Sequence, residues 1–63
     1  MAWVAVDSNG TENIYQFRPK RSSDKFIPLY PYSMSLTLPK GSIKKLIGRD
    51  LDWNDEPVEL RNE

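Results

Sequence analysis

Sixty-three residues make one small domain, close to the size below which a chain needs staples to fold alone. The chain has no cysteine and no histidine, which excludes disulfides, the usual zinc sites, thiol nucleophiles and the commonest general base. Nine acidic and nine basic residues cancel, so net charge selects no partner. Their distribution is uneven: residues 1–49 hold eight basic and three acidic side chains, and residues 50–63 hold one basic and six acidic. In a chain this small, that pattern is read first as internal charge complementarity.

Residues 2–18, AWVAVDSNGTENIYQFR, read as a β-hairpin. Val4, Val6, Ile14, Tyr15 and Phe17 favour strands, and Ser8-Asn9-Gly10 supplies a turn. Two registers compete. A two-residue Asn9-Gly10 loop would set Asp7 opposite Glu12, which like charge opposes. A three-residue loop with left-handed Gly10 pairs Asp7 with Thr11 instead, and is preferred. It collects Trp3, Tyr15 and Phe17 on one face and Val4, Val6 and Ile14 on the other, so both faces need a cover.

Arg18-Pro19-Lys20-Arg21 ends the second strand, because proline cannot donate to a central ladder. A polar loop follows, then Phe26-Ile27-Pro28-Leu29-Tyr30-Pro31-Tyr32, whose prolines favour an extended covering loop. It contains a formal PxxP, a weak pattern. Over residues 33–38 the chain alternates, with Met34, Leu36 and Leu38 predicted inward on a third strand. A short helix is predicted around residues 42–48, capped by Ser42, with Ile43, Leu46 and Ile47 as its apolar stripe and Gly48 as its stop. Leu51 and Trp53 read as anchors, Val58 and Leu60 as a short last strand, and residues 61–63 as a fraying end.

No residue set carries obvious chemistry. Lys40-Gly41-Ser42 is a faint echo of a phosphate loop. Asp50, Asp52 and Asn54 match the first oxygen positions of a calcium loop, but Asp55 stands where glycine is required and Arg61 where glutamate is required. No metal, cofactor or catalytic residue is assigned. Candidate partner contacts are two basic groups: Arg18, Lys20 and Arg21 at the hairpin end, and Lys40, Lys44, Lys45 and Arg49 around the helix. If the fold merges them, they make a basic face suited to nucleic-acid phosphates or to an acidic protein surface.

WVAVDSNGTENIYQF and LPKGSIKKLIGRDLDWNDEPVEL, which together cover 38 of the 63 residues, resemble short bacteriophage and prophage proteins with no assigned function. The resemblance implies a bacterial cytoplasm and an accessory role in infection, and supplies no site residues.

The sequence therefore predicts a single α+β domain over residues 1–63: a hairpin, a third strand and a short C-terminal strand in a small antiparallel sheet, with one short helix. The predicted core is Trp3, Val4, Val6, Tyr15, Phe17, Met34, Leu36, Leu38, Ile43, Leu46, Ile47, Leu51, Trp53 and Val58. The expected function is non-catalytic protein binding or self-association in the cytoplasm, with nucleic-acid binding as the alternative and no membrane span.

Overall fold

The computed structural model describes residues 2–60; the fraying expected of residues 61–63 lies outside them. The elements are β1 (Ala2–Val6), β2 (Glu12–Tyr15), β3 (Lys20–Arg21), β4 (Phe26–Ile27), β5 (Ser35–Leu38), α1 (Ser42–Ile47) and β6 (Val58–Leu60). Four strands form an antiparallel sheet in the order β5-β2-β1-β6, and β3 and β4 form a separate ribbon. This is the α+β architecture predicted, with the short last strand added beside β1.

Turn chemistry sets the sheet. Gly10 takes φ 87°, a left-handed value that glycine adopts without strain. The Asp7 N–H donates to the Thr11 carbonyl at 2.9 Å, and the Gly10 N–H to the Asp7 carbonyl at 2.9 Å. Asn9 Oδ1 accepts from the Thr11 N–H at 3.0 Å. The strands then pair Trp3 with Tyr15, Val4 with Ile14, Ala5 with Asn13 and Val6 with Glu12. That is the three-residue-loop register.

Because side chains alternate, this register gives the hairpin two apolar faces. On one, Val4 and Val6 pack against Ile43 of α1, with Ile14, Leu38, Ile47, Leu51, Val58 and Leu60 around them. On the other, Ala5, Tyr15 and Phe26 are buried together, with Trp3 and Trp53 packed alongside. The helix covers the first face, and the β3–β4 ribbon with the Trp53 loop covers the second. Full burial of Val4 and Ile43 contributes about 1.5–3 kcal/mol each.

The two acids flanking the turn hold these layers. Asp7 points to the ribbon face, where Oδ1 accepts from the Phe26 N–H at 2.9 Å and Oδ2 from Asn13 Nδ2 at 3.1 Å. Glu12 points to the helix face, where Oε2 accepts from the Gly41 N–H at 2.7 Å and Oε1 from the Ile43 N–H at 2.8 Å. Glu12 therefore performs the capping expected of Ser42. The residue in the N-cap position is Gly41, with φ 93°, and no side chain of the helix's own start caps it. The Ser42 hydroxyl instead donates to the Pro39 carbonyl at 2.6 Å. The C-terminal stop is as predicted, with Gly48 left-handed and its N–H bonded to the Lys44 carbonyl at 2.8 Å.

Four predicted core residues are exposed: Phe17, Met34, Leu36 and Leu46. Met34 and Leu36 do share the helix face, since Leu36 pairs with Ile14. The helix has six residues and is roughly 9 Å long at 1.5 Å per residue, too short to reach them. The sequence reading underweighted Phe26, which fills the second cluster.

Replacing Glu12→Ala is expected to lower stability by about 1–2 kcal/mol, read as a shift in urea midpoint, while Ser42→Ala costs only a few tenths. Equal losses would contradict capping from the sheet. Tyr15 donates its hydroxyl to the Phe26 carbonyl at 3.3 Å. Burial, then the Asp7 carboxylate, push its pKa up from 10.0 to about 12, against a smaller lowering by Asn13. The unfolded chain then loses this proton first, so the stability Tyr15 gives is complete below pH 10.0 and falls as pH rises towards about 12. Urea midpoints across that range should decline less steeply in Tyr15→Phe.

Candidate functional site

Between Lys25 and Lys40 the chain carries no charged side chain. The middle of this run turns back at Tyr30-Pro31-Tyr32-Ser33, where the Ser33 N–H and Oγ both donate to the Tyr30 carbonyl, at 3.1 and 2.7 Å. Pro31 occupies the turn position that its fixed φ suits. The PxxP therefore ends in a corner rather than in an extended polyproline run.

This corner lifts apolar side chains into solvent. Leu29 is 50% exposed, Tyr30 42%, Tyr32 76%, Met34 68% and Leu36 65%. Phe17 and Tyr30 meet edge to face with centroids 5.5 Å apart, and Tyr30 stacks on Tyr32 at 5.7 Å. Beside them a groove of about 260 Å³ is lined by Ala2, Ile14, Tyr15, Gln16, Met34, Ser35 and Leu36. The groove occupies the part of the sheet that the helix leaves uncovered. An aromatic and aliphatic surface beside an edge strand suits contact with another polypeptide. The sequence predicts residues 26–32 as a covering loop; Phe26 does cover the second cluster, whereas Leu29, Tyr30 and Tyr32 are exposed.

The basic residues fall into two groups on opposite faces of the sheet. Arg21 lies over the rings of Trp53 and Phe26, at 4.5 and 4.8 Å from their centroids. It donates to the carbonyls of Trp53 and Asp55 at 2.5 and 3.1 Å and to Glu56 Oε2 at 3.2 Å. Arg18 lies 5.4 Å from the Trp3 ring and 3.6 Å from Glu56. Both arginines thus clasp the acidic segment to the ribbon face, and Lys20 stands exposed on β3 beside them. Lys44 and Lys45 are exposed on α1, across the sheet, with Lys40 before the helix and Arg49 after it. The structure does not bring the hairpin-end group and the helix group onto one face.

A depression of about 470 Å³ at the turn end is lined by Asp7, Glu12, Lys40, Asp50, Asp52 and Trp53, among others. Its acids are largely committed. Asp7 and Glu12 anchor the two layers, and Asp52 Oδ1 accepts from the Asn54 N–H at 2.8 Å. Asp55 Oδ2 in turn accepts from the Asp52 N–H at 2.9 Å, so the calcium-like run is a turn built on its own carboxylates. Likewise, the amides that a phosphate would need at Gly41 and Ile43 already bond Glu12. Among the described residues, no group of three or more acids is placed to hold a metal ion, and no helix is long and apolar enough to cross a membrane.

No protein-family model, curated protein or solved structure matches the chain. Arg21→Lys, which keeps the charge but loses the planar stack, is expected to cost about 1–2 kcal/mol, with Lys20→Ala nearly neutral. Urea unfolding followed by tryptophan fluorescence checks both, and a neutral Arg21→Lys would contradict the clasp.

Proposed function

We propose that this chain is a non-catalytic protein-binding module whose contact surface is the uncharged, exposed stretch of residues 29–36. One observation carries the reading: Leu29, Tyr30, Tyr32, Met34 and Leu36, each at least 42% exposed, follow one another along the uncharged run that leads into the edge strand β5. Tyrosine and methionine are enriched in protein interfaces, because each offers a large contact area around a polar or polarisable atom. The split of the basic residues between two faces, with Arg18 and Arg21 engaged internally, favours this reading over nucleic-acid binding. The lack of histidine and cysteine, and the commitment of the turn-end carboxylates to backbone amides, favour binding over catalysis. The resemblance to phage proteins sets the expected place as the cytoplasm of a bacterium.

The test is site-specific photo-crosslinking in bacterial cells. A photoreactive side chain at Tyr32 should give a discrete protein adduct, and the same group at Lys45 should give none. No protein adduct at Tyr32, together with retention of the chain on DNA or RNA at low salt, would reverse the choice.

A further inference from the structure

We infer that the protein bound at this surface is a second copy of the chain, paired antiparallel through β5 about a two-fold axis at Leu36; the inference rests on the protein-binding reading above. The hydrogen-bond phase of the sheet carries it. The Asp7–Thr11 bond fixes the backbone groups of Thr11, Asn13 and Tyr15 toward β1. By alternation, Glu12, Ile14 and Gln16 point their N–H and C=O groups at β5, and the Gln16 N–H does donate to the Met34 carbonyl, at 2.9 Å. Met34, Leu36 and Leu38 are thus spent on β2. Ser35 and Thr37 direct their N–H and C=O groups outward along an open edge.

A two-fold axis at Leu36 sets Ser35 opposite Thr37 of the partner copy, twice, so every outward group of these residues gains a partner. On the helix face Leu36 meets its own copy, and Met34 meets Leu38. On the other face hydroxyl meets hydroxyl. A two-fold axis also confronts each side chain with its own kind, so any charge near the axis would repel itself. Residues 26–39 contain none. The opposite edge fails the same requirement: β6 points the backbone of Glu59 outward, and an axis there would oppose Glu59 to itself. Pro57, just before it, has no N–H to offer. Of the two edges of the four-stranded sheet, as far as the described residues run, β5 is the self-complementary one, and pairing there joins two four-stranded sheets into one.

Sedimentation equilibrium at tens of micromolar is expected to give a mass of about 14.6 kDa, twice the 7.3 kDa chain. Leu36→Lys, at a position already 65% exposed, places two ammonium groups at the axis and should weaken dimerisation by roughly a hundredfold. Ser35→Pro removes an outward N–H without touching the β2–β5 ladder, and should do the same. Circular dichroism should be unchanged in both variants. A wild-type chain that stays monomeric, or a dimer that survives both substitutions, overturns the pairing. If a monomeric wild type still crosslinks at Tyr32 to a different protein, the pairing is wrong and the protein-binding reading stands.

Discussion

Two carboxylates flank the hairpin turn, and each accepts backbone hydrogen bonds from a different covering layer. Asp7 holds the Phe26 amide of the ribbon, and Glu12 holds the Gly41 and Ile43 amides that open the helix. They can serve opposite faces only because the turn has three residues and a left-handed glycine. A two-residue turn would slip the register by one, place both acids on one side and oppose them. The turn thereby decides where each layer docks, as well as which strand residues pair. For a chain with no disulfide and a short helix, such charge-assisted bonds across the sheet replace much of the order that a larger core would impose.

Anchoring both layers at the turn end has a consequence at the other end. The helix sits over Val4 and Val6 and leaves Leu36 and Met34 exposed. The Tyr30–Ser33 corner carries its aromatic rings outward instead of folding them over the gap. What remains is an uncharged edge strand with apolar side chains on one face and hydroxyls on the other. The surface assigned to binding is thus the part of the sheet that the anchoring geometry cannot cover.

Local signals in the sequence were sufficient for what is local in the fold. The Ser8-Asn9-Gly10 turn, the register that keeps Asp7 and Glu12 apart, the short helix and the Gly48 stop each depend on residues close in the chain, and each is found in the structure; of the helix stripe, Ile43 is buried and Leu46 is exposed. Glu12 as a helix cap was not legible, since it lies 31 residues from Ile43 and only the assembled sheet brings them together. Period-two spacing placed Met34 and Leu36 on the correct face but could not say how far a six-residue helix would extend over them. Residue type also could not show that Arg21 would be taken up by Trp53 and Glu56, leaving the basic residues on separate faces. The candidate surface was visible only as an absence of charge, which a covering loop and an interface share.

Amide hydrogen exchange of the single variants shows whether Asp7 and Glu12 anchor separate layers. In Asp7→Ala the Phe26 amide should exchange faster while Ile43 keeps its protection; in Glu12→Ala the order should reverse. Uniform loss of protection in both variants, or no change at either amide, would mean that the two acids do not anchor separate layers.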